Sequence, residues 1–161
     1  MPLLETDVLV AAIDPEDPNH GVARAAFEEG GAALSPYALV ELDLLVRSDV
    51  IVVRDCAEFW RKIEELLRRL RVRVVGVSPL HFAKAHELRR SYGLAYFDSL
   101  HAAAAMVEGL ELVSFDLRAY GAVRGLRCRR PSRRCALGAR WSWGGSGERG
   151  GLALSAAIGG R

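Results

Sequence analysis

Short apolar segments alternate with amphipathic ones along most of this chain, and that alternation restricts the folds open to it. Leu3-Leu4, Ala32-Ala33-Leu34, Val72 to Val77 and Glu111 to Phe115 are too short for helices. Their branched, apolar composition suits strands. Three of them run directly into a helix signal. Ser35-Pro36 and Ser78-Pro79 each place a capping hydroxyl before a proline at the first helical position. Strands alternating with helices predict a parallel sheet covered on both faces, an α/β fold.

The predicted elements can be bounded. Leu3-Leu4 with Glu5 forms a first strand, and Thr6 or Asp7 caps a helix through Val8 to Ile13. Asp14 to Pro18 is a loop. Asn19 caps a second helix that runs to Glu29 and stops at Gly30-Gly31. The helix opened by Ser35 carries YALVELDLLVRS. A longer one spans about Asp55 to Arg71, with an apolar stripe at Phe59, Ile63, Leu66, Leu67 and Leu70. The helix opened by Ser78 ends at Gly93, and another spans Tyr96 to Glu108 before Gly109. Val123 to Arg130 is a last, weak strand closed by Pro131. No internal repeat is present.

Length and composition then set limits on function. A chain of 161 residues, half of them hydrophobic, holds one compact domain and a tail. The domain is read as 1–131, and 132–161 as a flexible Gly/Arg-rich C-terminal tail. The tail holds five Arg and one Glu, whereas the body is slightly acidic. Trp141 and Trp143 among those arginines would suit RNA contacts, although an unstructured tail without a specific role explains them as well. The overall charge of +2 does not mark a nucleic-acid binder. No apolar run reaches the roughly 18 residues of a membrane span. No signal peptide is evident, so a cytoplasmic protein is expected. Cys56, Cys128 and Cys135 lack zinc-type spacing.

Acidic residues carry the functional signal. Several have a basic partner one helical turn away: Asp43 with Arg47, Glu64 with Arg68, Glu65 with Arg69. Others do not. Glu5 and Asp7 interrupt the apolar run MPLLETDVLV. Glu41 has Tyr37, Ala38, Leu44 and Leu45 as its helical neighbours. Asp98 lies in AYFDSLHAAAAM, where only His101 could pair with it. Asp116 ends a strand. Each has an ordinary explanation as a cap, a turn opener or the partner of a distant Arg. Brought together, however, such acids repel and resist ionisation unless a cation holds them. All-oxygen ligation suits Mg²⁺ or Mn²⁺, which activate water and clamp phosphoryl oxygens. The four histidines form no nucleophilic triad, and His101 is read as a core or orienting residue. No phosphate-cradling Gly loop occurs.

LLETDVLVAA, SPYALVELDLLVR, YFDSLHAAAA and LVSFD, in that order, resemble the four motifs of the PIN-domain nucleases over about residues 1–131. The wording is similar to the VapC-like toxin ribonucleases. The resemblance implies a PIN-like three-layer α/β/α fold with a central parallel sheet of four to five strands. It also implies an Mg²⁺- or Mn²⁺-dependent endoribonuclease that is the toxin of a type II toxin–antitoxin pair. An RNA substrate, a small antitoxin protein and a homodimer, with no membrane, are the implied partners. Residue by residue it assigns catalysis to Glu5, Glu41, Asp98 and Asp116, and the metal to Glu5, Asp98, Asp116 and Asp7. Thr6 and Ser114 support the site. Glu5 stands where the family most often has Asp, and Asp7 where it often has Asn or Ser. Glu5 is the expected first ligand, with Asp7 capping the helix or holding water. A non-catalytic RNA-binding or complex-forming PIN module and a different Mg²⁺ phosphohydrolase are the alternatives.

Overall fold

A computed structural model describes residues 1–132. The tail with Cys135, Trp141 and Trp143 therefore lies outside the described residues, apart from Ser132. In chain order the elements are β1 (Pro2–Leu4), α1 (Thr6–Ile13), α2 (His20–Glu28), β2 (Ala33–Leu34), α3 (Pro36–Arg47) and α4 (Cys56–Arg69). There follow β3 (Arg73–Val74), α5 (Pro79–Tyr92), α6 (Tyr96–Val107), β4 (Glu111–Val113), α7 (Leu117–Tyr120) and β5 (Cys128–Arg129).

All five strands pair in parallel, in the order β3-β2-β1-β4-β5. Adjacent residues on a strand face opposite sides of the sheet. Leu4, Leu34 and Val113 point into one core, with Phe27, Leu42, Phe59 and Ile63 from the helices on that face. Leu3, Ala33 and Leu112 point into the other, with Leu88, Leu100 and Ala102 to Ala105 from α5 and α6. The result is the expected three-layer α/β/α arrangement. Each fully buried Leu or Phe contributes about 1.5–3 kcal/mol by leaving water.

The strands are shorter than their sequences predict. Val72 to Val77 pairs only at Arg73 and Val74, both exposed on an edge strand. Val123 to Arg130 pairs only at Cys128 and Arg129. The Glu111–Phe115 strand stops at Val113, because the chain turns there into α7, a short helix absent from the predicted elements. The Asp43–Arg47 and Glu64–Arg68 pairs stay open, and all four side chains remain exposed to water. Asp55 and Ser78 do cap their helices, accepting from the N–H groups of Glu58 and Leu80. Gly93 ends α5 at φ 69°, a backbone shape that few side chains tolerate.

The topology fixes where a ligand can bind. From β1 the chain steps to β2 and β3 on one side, then returns to add β4 and β5 on the other. The order therefore reverses between β1 and β4. Their register pairs Leu4 with Val113, so the next residues, Glu5 and Ser114, emerge side by side. Open parallel sheets bind ligands at this point, beyond the carboxyl ends of the strands.

Candidate active site

A cleft of about 380 Å³ opens at that switch point. Glu5, Asp7, Asp17, Glu41, Asp98 and Asp116 all line it, and among the described residues no Lys or Arg does. The sequence-predicted acids thus reach one cavity from four elements or their ends. Asp17 joins them from the loop before α2, a position read only as loop. The cleft's other wall is apolar, with Val10, Leu45, Ile51 and Phe115.

Glu5 lies just beyond β1, at the N-cap position of α1, rather than within the strand. It is buried, and Tyr120 of α7 donates its hydroxyl to Oε2 at 2.6 Å. Burial, then the nearby Asp7 charge, push the Glu5 carboxyl from an ordinary 4.5 up to about 8. Tyr120 had no sequence signal beyond an aromatic residue in a polar, Arg-rich segment. Burial and the Glu5 charge raise its own hydroxyl pKa, so it stays a donor.

Neither Thr6 nor Asp7 caps α1 with its side chain. Asp7 instead reaches across to the chain after β4. Its Oδ2 accepts the Phe115 N–H at 2.7 Å and the Ser114 hydroxyl at 3.2 Å. A first-turn carboxylate can leave the cap position when the neighbouring strand offers a better donor. The second oxygen, Oδ1, is buried without any hydrogen-bond partner. Burial raises the Asp7 pKa against those donors. Ser114 is fully buried and accepts the Asp116 N–H at 2.9 Å, so it ties Asp7 to the Asp116 turn.

Thr6 donates to Glu41 Oε2. His101 Nε2 approaches the same oxygen at 3.1 Å, and its Nδ1 meets Ser35 Oγ at 2.8 Å. Ser35 therefore serves a histidine rather than the helix N-terminus. Asp98 opens α6 half-buried. Burial raises its pKa, His101 opposes that rise, and the Glu41 and Asp116 charges add to it. Asp116 is exposed, and its Oδ1 caps α7 through the Arg118 and Ala119 N–H groups.

The donor set tests whether a hard cation fits. All six lining acids present oxygen, the ligand type that Mg²⁺ and Mn²⁺ prefer. An orphaned buried carboxylate oxygen costs free energy that a cation would recover. The carboxylate–Lys and carboxylate–Arg pairs that close lie elsewhere, as at Glu28, Glu58 and Glu111. Among the described residues no three His, Cys, Asp or Glu side chains converge as a finished cage. Mg²⁺ and Mn²⁺ keep several waters and take only one or two carboxylates from a protein, which the lining acids could supply. The residues present fit such an ion.

By fold and site, the molecule is a five-stranded parallel α/β/α domain with an acid-lined cleft at its switch point. It belongs to the PIN domain family, which it matches over residues 3–124. No curated protein matches it by sequence. Among solved structures it is similar to VapBC2 from Rickettsia felis bound to a promoter DNA fragment. There the TM-score is 0.63 and the identity 19%, over 80% of this chain and 97% of that one. DNA-bound VapBC from Salmonella typhimurium gives a TM-score of 0.61 at 18% identity, over 81% and 98%. VapC20 from Mycobacterium tuberculosis, a toxin that cleaves the sarcin-ricin loop, gives 0.57 at 20%, over 76% and 95%. At these identities the likeness is one of fold.

Proposed function

We propose that this chain is an Mg²⁺- or Mn²⁺-dependent endoribonuclease of the VapC type. It would act in the cytoplasm as the toxin of a toxin–antitoxin pair. One observation carries the reading: among the described residues, six carboxylates line one cleft without a Lys or Arg, and a buried oxygen of Asp7 has no partner. An RNA phosphate would be repelled by that lining unless a cation stood between them.

Asp7, through Oδ1, would hold the ion, with Glu5, Asp98 and Asp116 around it. When bound, the ion supplies Lewis acidity for a phosphoryl oxygen and for water. The protein's own groups do the rest. The Phe115 N–H and Ser114 hydroxyl keep Asp7 aimed into the cleft. Tyr120 holds Glu5 by one oxygen. Glu41 and Asp98 accept hydrogen bonds from a water and orient it toward the phosphorus. The apolar wall at Val10, Leu45 and Ile51 limits water around the reacting groups.

Exposed apolar side chains at Val40 and Leu44 on α3, and Leu80 and Phe82 on α5, support an assembling protein. A homodimer and a small antitoxin are the proposed partners. Among the described residues no helix is long and apolar enough to cross a membrane.

The test is direct. Purified protein with Mn²⁺ is expected to cut RNA, and Asp98→Asn or chelator should each lower the rate by at least ~100-fold. Cleavage that survives both changes overturns the metal mechanism. A non-catalytic RNA-binding module is the second reading, favoured by the Tyr120 bond that occupies Glu5. Calorimetry without saturable Mn²⁺ binding would select it.

A further inference from the structure

We propose that His101, seated on Ser35, is a positioning residue that fixes how Glu41 faces the cleft. The inference rests on the nuclease reading only for its kinetic consequences. The geometry stands without it.

His101 is 1% exposed and Ser35 is fully buried. A buried imidazole needs partners at both nitrogens. His101 finds Ser35 Oγ at 2.8 Å on Nδ1 and Glu41 Oε2 at 3.1 Å on Nε2. An ionised carboxylate only accepts, so Nε2 carries the proton. Nδ1 of the neutral ring then takes the Ser35 hydroxyl. Thr6 Oγ1 lies 3.2 Å from the same Nε2 and donates to the same Glu41 oxygen. Three elements thereby meet on one atom: Thr6 at the start of α1, Glu41 in α3 and His101 in α6. The Tyr37 and Phe97 rings flank the imidazole, with centroids 6.4 Å and 6.5 Å away.

Every hydrogen bond the structure gives Glu41 falls on Oε2. Glu41 also lines the cleft. Two donors on one oxygen fix the carboxylate plane and leave Oε1 for whatever the cleft holds. A flexible Glu side chain otherwise spends rotamer entropy each time it is used. Buried partners that orient a ligand or base typically account for 10–100-fold in affinity or rate.

The experiment compares His101→Ala, His101→Gln, Ser35→Ala, Glu41→Ala and the Glu41→Ala/His101→Ala pair. Calorimetric Mn²⁺ titration, RNA cleavage and thermal melting are read on each. His101→Ala is expected to weaken Mn²⁺ binding and lower kcat by 10–100-fold, with KM for RNA within about threefold. His101→Gln, which can still place an N–H on Oε2, should recover most of both even where its melting temperature falls as far. Ser35→Ala should lose less than His101→Ala. The double variant should be no worse than Glu41→Ala alone, since one acts through the other. Losses that add, or that follow melting temperature across the set, overturn the proposal.

Ring ¹⁵N shifts of His101 in the metal-free protein need neither ion nor RNA. They should report the Nε2–H tautomer in the wild type and lose that fixed state in Ser35→Ala. An Nδ1–H tautomer overturns the proposal. If the wild type cuts no RNA while the tautomer stands, the nuclease reading has failed and the positioning has not.

Discussion

Two buried histidines in this molecule each sit between a hydroxyl and a carboxylate, and only one borders the cleft. His81 is fully buried in α5, with Tyr37 Oη at 3.1 Å on Nδ1 and Glu108 Oε1 at 3.2 Å on Nε2. His101 has Ser35 and Glu41 in the same places. The surroundings differ. Glu108 stands at the carboxyl end of α6 with its side chain partly open to water, which supplies the donors that the His81 ring does not. Beyond Glu41 stand five more acids, and one Asp7 oxygen is left with nothing. The first network is finished and serves the fold. The second is unfinished, and a deficit of that kind is what a binding site retains at a cost in stability.

The sharpest way to break this contrast is to titrate stability in the absence of metal. Folding raises the Glu5 carboxyl from 4.5 to about 8. The folded protein then binds more protons than the unfolded chain across that window. Stability is full below about pH 4.5 and is lost as the pH rises through about 8. The slope for one such group approaches about 1.4 kcal/mol per pH unit. The raised pKa values of Asp7 and Asp98 add in the same direction. Urea unfolding from pH 5 to 8.5 should show this decline. Glu5→Gln should flatten most of it and be the more stable protein at pH 8. Saturating Mn²⁺ should flatten it in the wild type. A wild-type profile that is level without metal would mean that the cleft acids are as well satisfied as Glu108.

Next in size is His81→Ala. It strips the Tyr37 hydroxyl and Glu108 of a shared partner and leaves a small cavity between α3, α5 and α6. A loss of about 2–4 kcal/mol is expected in chemical denaturation. Mn²⁺ affinity should stay within about twofold. Should it fall as far as in His101→Ala, the two networks act as one and the distinction disappears.

How far the sequence reached follows the same division. The layers were legible because apolar patterning reports them: strands as short apolar runs, α4 at its Phe59-Ile63-Leu66 stripe. Ser78 and Gly93 were legible because capping is a local transaction. Strand ends were not, since pairing at β3 and β5 depends on what the neighbouring strand offers. In the cleft, Glu5, Glu41, Asp98 and Asp116 stood out by lacking a partner within one helical turn. The contacts of Glu5, Asp7 and Glu41 were hidden, because they cross 35 to 115 residues of sequence. Asp7 read as a cap because it stands directly before the apolar helical run that begins at Val8. Ser35 read as a cap because it stands directly before Pro36. Tyr120 gave no local sign at all, since its only distinction is the acid it meets.

The smallest expected effect separates charge from geometry. Glu108→Gln keeps an oxygen for the His81 N–H and removes an anion from the end of α6, where it opposes the helix dipole. Loss of the charge-assisted bond and relief at the helix end nearly offset, so stability at pH 7.5 should change by less than about 0.5 kcal/mol. Denaturation measured beside His81→Ala checks this. A loss above about 1.5 kcal/mol would show that the Glu108 pair draws on full charge, as buried ion pairs do when one partner is removed. The same exchange at Glu41 keeps one oxygen as well, yet it faces other acids and a proposed cation. Glu41→Gln should therefore hold the fold and weaken Mn²⁺ binding, which makes charge matter at one histidine and dispensable at the other.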